Sequence, residues 1–126
     1  MTGPRSWRFV TAVLDEERLR AFSALVRDPN PVHIDPAFAR GLGLPGAIAQ
    51  GGLVVSALSA MLNADGIVQL DVRLLAPVPA GTALVCQGTA GEQTPDGQVH
   101  VECEVSDGAD RVFARAVALV GSRVHA

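Results

Sequence analysis

The fold of this chain is decided by residues 46–62, which read GAIAQGGLVVSALSAML. The part from Leu53 to Leu62 is apolar on every side and too short to span a bilayer, so it predicts a helix buried inside a domain. Its glycine-rich start leaves backbone N–H groups and the positive end of the helix dipole open to an anion or a polarised carbonyl. The segment therefore predicts a buried central helix whose N-terminus can stabilise an oxyanion.

Strand-like runs separated by turns follow this helix. They lie at residues 70–74, 82–90, 98–105 and 111–120, with turns at 77–81 and 107–108, and a first strand is expected at 7–13. Alternating apolar and polar residues with turns between them predict an antiparallel meander. One buried helix before such a sheet gives an α+β fold.

Two shorter helices are expected before the central one. Asp15 resembles a helix start, and Leu19, Phe22 and Val26 would form the apolar face of the helix that follows. Asp35-Pro36 is a typical N-cap and first-turn pair, which opens a short helix that ends at Gly41.

Residues 28–36, which read DPNPVHIDP, join these two helices. Pro29 and Pro31 fix their own φ angles and disfavour helix in the residues before them, so a stiff, non-helical segment is expected. It carries Asp28 and His33, and histidine with a nearby carboxylate is suited to general acid–base catalysis near neutral pH. The amide of Asn30 is expected to brace the segment through nearby backbone.

The chain resembles a known family in three segments. These are D-x-N-P-x-H-x-D-P-x-x-A over 28–39, G-x-I-x-x-G over 46–51 and L-x-V-R-x-L-A-P-V-x-x-G over 70–81. In this order they resemble the MaoC-like, (R)-specific enoyl-thioester hydratases (hydratase 2). The resemblance implies a hot dog fold over a single domain of residues 1–126. In that fold a long helix is wrapped by an antiparallel sheet, and two chains normally pair as a dimer.

The resemblance also implies roles for particular residues. Asp28 and His33 fall on the family's catalytic aspartate and histidine, and Gly51 falls on the glycine whose N–H holds the thioester carbonyl. Ser59 falls on a supporting serine in the long helix. Gln50 departs from the family, which usually has histidine directly before that glycine.

The implied activity is addition of water to a trans-2-enoyl thioester of CoA or acyl carrier protein, or the reverse dehydration, with no cofactor. Two alternatives stay open. A hot dog thioesterase would use an acid and a helix N-terminus, but it has no requirement for His33. A catalytically silent subunit, or an acyl-thioester-binding partner of an active hydratase, is favoured by Gln50, whereas the intact Asp28, Asn30 and His33 argue against it.

Composition narrows the remaining classes. The net charge is −3 with no basic run, which disfavours nucleic acid and anionic membranes as partners. All ten basic residues are arginine, which excludes lysine-dependent Schiff-base, pyridoxal phosphate and phosphate-loop chemistry. The apolar excess suggests burial against a second subunit, and a homodimer is expected. No signal peptide is recognisable, so a cytoplasmic protein is expected.

Other candidate motifs are interpreted as structural. Residues 41–46 match G-x-G-x-x-G but follow no strand, so they are expected to form a connecting loop rather than a dinucleotide site. Cys86 and Cys103 are expected to be buried thiols. His100 should be solvated, His125 lies in the tail, and neither suggests a metal site with His33.

Overall fold

The computed structural model describes residues 5–121, so the tail with His125 lies outside the described part. The elements, in chain order, are β1 (Ser6–Leu14), α1 (Glu16–Val26), a 3₁₀ turn (Pro31–His33), α2 (Pro36–Gly41), α3 (Gly51–Leu62), a second 3₁₀ turn (Asn63–Asp65), β2 (Ile67–Leu74), β3 (Thr82–Gln93), β4 (Val99–Ser106) and β5 (Val112–Val120). The predicted helices and strands are therefore present, with small changes at their ends.

The strands form one five-stranded sheet in the order β1-β3-β4-β5-β2, and every neighbouring pair is antiparallel. The predicted meander after the central helix is correct for β3 to β5 and wrong for β2, which pairs with β5 at the sheet edge. The reason lies in the β2–β3 connection. Its backbone pairs with residues 47–49, as the N–H of Ala49 donates to Val78 O and the N–H of Ala80 donates to Ala47 O, so it forms no hairpin turn.

Helix α3 lies against one face of this sheet. It buries its face toward the strands, where apolar side chains of β3, β4 and β5 complete the core. The α3 residues on that face are Val54, Ala57, Leu58, Met61 and Leu62. On the other side of α3, Val55, Ser56 and Ala60 are exposed, so the predicted burial holds for one face of the helix within a single chain.

Two local predictions need correction. Residues 31–33 form a 3₁₀ turn although the segment was expected to be non-helical, because Pro31 occupies the first helical position, where no N–H donor is required. The apolar face predicted for α1 is also wrong at Val26, which is 48% exposed. The second buried residue of α1 is Ser23, one turn after Leu19, and a buried polar contact holds it there.

The local signals at helix starts are confirmed. The side chain of Asp15 accepts a hydrogen bond from the N–H of Arg18 at 2.9 Å, and that of Asp35 accepts one from Phe38 at 3.2 Å. These contacts are N-caps, which satisfy donors that lack a partner in the first turn. They fix the two helices that flank the segment carrying Asp28 and His33.

The predictions that Cys86 and Cys103 are buried thiols and that His100 is solvated are also confirmed. Cys86 and Cys103 are buried free thiols on neighbouring strands. Burial raises the pKa of each thiol to about 11. His100 is exposed on β4.

Candidate active site

The site is built on a short antiparallel platform between residues 47–49 and 78–80. Ile48 and Pro79 lie opposite each other at its centre. On one side of this pair the N–H of Ala49 donates to Val78 O at 2.8 Å, and on the other the N–H of Ala80 donates to Ala47 O at 2.9 Å. The prolines at positions 77 and 79 have a fixed φ and no N–H to donate. They fit this segment because its hydrogen bonds to residues 47–49 are made by Val78 and Ala80. This platform fixes the chain immediately before the N-terminus of α3.

His33 is attached to the platform through Ile48. The N–H of Ile48 donates to Val32 O at 3.1 Å, and Nδ1 of His33 lies 2.9 Å from Ile48 O. Because a carbonyl oxygen can only accept, Nδ1 carries the proton, and in the neutral ring Nε2 is left as an acceptor. The platform thus sets both the orientation and the tautomer of His33.

Asp28 faces that free nitrogen. Its Oδ2 lies 3.7 Å from His33 Nε2, with 39% of the aspartate side chain and 12% of the histidine side chain exposed. A distance of 3.7 Å is too long for a direct hydrogen bond. A water molecule hydrogen-bonded to both groups at about 2.8 Å each fits such a separation. The pair can therefore hold one water between a carboxylate and an imidazole.

Local backbone contacts hold the carboxylate in place. Asp28 Oδ1 accepts from the N–H of Asn30 at 3.1 Å, and the N–H of Asp28 donates to Ser23 O at 2.9 Å. Arg27 has a left-handed conformation with φ 56°, which ends α1 directly before the aspartate. The Oδ1 of Asn30 accepts from the N–H of Val32 at 3.1 Å. Asn30 thus contacts the carboxylate through its backbone and caps the 3₁₀ turn through its side chain.

Gly51 and Gly52 open α3 at the end of the platform. The first N–H groups of a helix have no acceptor within the helix itself. Among residues 5–121, neither the side chain of Gln50 nor a backbone carbonyl accepts a hydrogen bond from the N–H groups of these two glycines. A Cβ on Gly51 would lie 2.9 Å from Cδ1 of Leu74, and one on Gly52 would lie 3.2 Å from Cζ of Phe22. The two glycines therefore let Leu74 and Phe22 approach the helix N-terminus from two sides.

Gln50 is directed toward α1. The residue is 3% exposed, and its Nε2 donates to Leu19 O at 2.8 Å and to Ser23 Oγ at 2.7 Å. Its Oε1 is buried and has no hydrogen-bond partner within the described chain. The side chain thus connects the residue before Gly51 to the helix that leads to Asp28.

Among the described residues, no hydrogen bond joins the Ser59 side chain to this cluster. Its Oγ donates to Val55 O at 2.9 Å, a bond within α3, and the residue lies two turns below Gly51. Sequence reasoning missed Ile48 and Ser23, which orient His33 and hold Gln50. Neither residue carries a local signal in the sequence. Ile48 acts through its backbone carbonyl, and Ser23 has the pattern of an ordinary polar residue in a helix.

Residues 5–121 contain no group of three or more histidine, cysteine, aspartate or glutamate side chains that could hold a metal ion. No helix in that range has the length and apolar character needed to cross a membrane.

Comparison with known proteins defines the class. The sequence profile of the MaoC-like domain matches residues 3–112, and the chain belongs to this dehydratase family. It is thereby a hydro-lyase with hydratase or dehydratase activity. No curated protein sequence matches the chain.

Solved structures support the fold. An (R)-hydratase from A. caviae involved in PHA biosynthesis has a TM-score of 0.85 at 20% identity, with 97% of each chain covered. The R-hydratase PhaJ1 from Pseudomonas aeruginosa has a TM-score of 0.84 at 22% identity, with 98% of this chain and 84% of that one covered. A chain of the ChsH1–ChsH2 complex from Mycobacterium tuberculosis has a TM-score of 0.79 at 18% identity, with 98% and 100% covered. The predicted hot dog fold is confirmed.

Proposed function

We propose that this protein adds water to trans-2-enoyl thioesters of CoA or acyl carrier protein, giving the (R)-3-hydroxyacyl product, and catalyses the reverse dehydration. The observation that carries the proposal is the gap of 3.7 Å between Asp28 Oδ2 and His33 Nε2, with the histidine tautomer set by Ile48. This arrangement presents two acceptors to one water. Both O–H groups of that water can be bound, which leaves a lone pair free to attack the β-carbon.

Hydration requires one proton to leave the water and one to reach the α-carbon. In the proposed reaction the water oxygen bonds to the β-carbon while Asp28 or His33 accepts its proton. The electrons of the double bond move onto the thioester as an enolate, and the proton that Asp28 or His33 took from the water is then delivered to the α-carbon. General acid–base catalysis by such groups contributes roughly 10²–10⁴-fold. No cofactor enters this scheme, since the thioester itself stabilises the enolate.

The negative charge of the enolate develops on the thioester oxygen. We propose that the N–H of Gly51 donates to this oxygen at the positive end of α3. One such donor typically contributes roughly 3–4 kcal/mol, which corresponds to a few hundred-fold in rate. The absence of an acceptor for this N–H within the described chain supports the assignment.

We further propose that the protein acts as a homodimer in the cytoplasm. The exposed side of α3 carries Val55, which is 38% exposed, and the adjacent edge strand β2 carries Val68, which is 54% exposed. One edge of β2 has no partner strand among the described residues. An unpaired edge beside an apolar helix face is covered in stable proteins, and a second copy offers the same surface in return.

The direct test follows loss of the enoyl absorbance of crotonyl-CoA. The wild-type protein and the His100→Ala control, which removes an exposed histidine, should hydrate the substrate equally. Asp28→Asn and His33→Ala should be slower by at least about 10²-fold. A wild-type protein that releases free CoA thiol without forming a hydroxyacyl product would be a thioesterase. One inert on all enoyl thioesters would be the silent subunit.

A further inference from the structure

The N-terminus of α3 is flanked by two apolar side chains from different elements. Leu74, at the end of β2, places Cδ1 2.9 Å from the Cβ position of Gly51, while Cζ of Phe22 in α1 lies 3.2 Å from the Cβ position of Gly52. The first residue of α3 therefore has a leucine side chain close to it, and the second has a phenylalanine ring.

Leu74 is unusual because it is apolar, adjacent to a proposed oxyanion donor and 56% exposed. The residues two and four positions earlier in β2, Val72 and Leu70, pack against the core, so Leu74 continues the inward-facing row beyond the core. Its exposed surface is therefore on the same side of the sheet as α3 and its N-terminus.

The close approach limits what can bind there. Cβ and N of Gly51 share one bonded atom, so the Leu74 methyl lies within roughly 5.5 Å of the amide nitrogen. A carbonyl oxygen bound to that N–H would sit about 2.9 Å from it. Leu74 is thus the neighbour of a carbonyl group bound at this N–H, and a substituent of the carbonyl carbon that is oriented toward β2 can contact the leucine methyls.

A thioester carbonyl carbon has two substituents of different character. The sulfur leads to a pantetheine chain with polar amides, whereas the α-carbon begins the hydrocarbon of the acyl group. Apolar contact favours the hydrocarbon side. We infer that Leu74 is a specificity-determining residue that contacts the acyl α-carbon and disfavours thioesters branched at that carbon. This inference rests on the proposed thioester binding at Gly51.

Two isomeric saturated ligands allow the effect of Leu74 on binding to be measured without the hydration reaction. Butyryl-CoA and isobutyryl-CoA have the same atoms, and only the second is branched at the α-carbon. One methyl group in a fitted apolar site changes affinity or rate roughly 10–200-fold. We expect wild-type protein to bind butyryl-CoA at least tenfold more tightly by calorimetry. Leu74→Ala should reduce that ratio toward one, and Leu74→Phe should increase it.

The control is Leu75→Ala. Leu75 is 48% exposed and adjacent in sequence, but it lines an open cavity of about 780 Å³ on the other face of the sheet with Asp71 and Arg73. This control should leave the binding ratio unchanged. Light scattering and circular dichroism on each variant monitor assembly and folding. If the Leu74→Ala variant is unstable, Leu74→Met is used in its place, because it changes this side chain while it conserves the volume.

The hydration rates of crotonyl-CoA and its α-methyl counterpart, tiglyl-CoA, should change in the same direction as the binding ratio. Equal binding ratios in wild type, Leu74→Ala and Leu74→Phe would overturn the inference, as would a Leu74→Ala variant that dissociates and weakens both isomers equally. Failure of the proposed function would be distinct. In that case crotonyl-CoA would not be hydrated, while the binding ratio would still respond to Leu74.

Discussion

Replacing Gln50 by alanine removes the connection between the residue before Gly51 and helix α1. Two hydrogen bonds are lost, those to Leu19 O at 2.8 Å and to Ser23 Oγ at 2.7 Å, at a residue that is 3% exposed. Each is worth about 1 kcal/mol net. The cavity left by the truncated side chain adds a cost of about 1 kcal/mol. Removal of the unpartnered Oε1 returns about 1 kcal/mol.

The expected loss is therefore about 2 kcal/mol in the free energy of unfolding. With a urea slope of about 1–3 kcal/mol/M, this lowers the midpoint by roughly 1 M. The assay is urea unfolding at one fixed protein concentration, because association with a second copy would also contribute to stability. Gln87→Ala, at an exposed position of β3, is the matched control and should change stability by no more than about 0.5 kcal/mol.

Measurements of turnover distinguish a structural role of Gln50 from a role in proton transfer. Gln50→His should change turnover by no more than about tenfold, or 1.4 kcal/mol, because a neutral imidazole can also donate to α1. Gln50→Ala should reduce turnover by more than that. The reasoning would be refuted if Gln50→Ala were as stable as the Gln87→Ala control. Activity that appeared only in Gln50→His would instead identify a silent subunit.

Four further outcomes are expected. Asp28→Asn and His33→Ala should remain folded by circular dichroism while crotonyl-CoA hydration falls at least about 10²-fold, and near-full activity in either would contradict the mechanism. Cys86 and Cys103 should resist alkylation at pH 8 until urea unfolds the protein, because their native pKa values are about 11. Since the folded state keeps these protons up to higher pH than the unfolded state, stability should fall as pH rises from about 9 to 11, as urea titrations would show. Light scattering should give a dimer at micromolar concentration, and a monomer would count against the proposed pairing.

The sequence was informative where a feature depends on neighbouring residues. N-caps at Asp15 and Asp35 follow from the residue type and the helix immediately after it, and both are present. The buried thiols follow from strand alternation in the same way. The inward side of α3 was also predictable, since an apolar helix must contact something apolar.

Features that depend on distant pairing were not predictable. The position of β2 beside β5 results from backbone hydrogen bonds between residues 47–49 and 78–80. No local sequence pattern predicts these hydrogen bonds. The burial of Ser23 depends on Gln50, and the tautomer of His33 depends on the carbonyl of Ile48. Candidate side chains could therefore be named from sequence, whereas the groups that orient them could not.

The position of Gln50 bears directly on whether this subunit can be active. The family usually has histidine there, and loss of an imidazole would be decisive if that residue exchanged protons with substrate. In this chain both N–H groups of the side chain are directed to α1, and the residue is buried. Donation of hydrogen bonds to a neighbouring helix is a role that an amide performs as well as an imidazole. An amide does so without a change of charge between pH 5 and 8, so the contact between α1 and the turn at Gly51 stays the same across that range. Glutamine at this position is thus compatible with an active site in which Asp28 and His33 alone exchange protons.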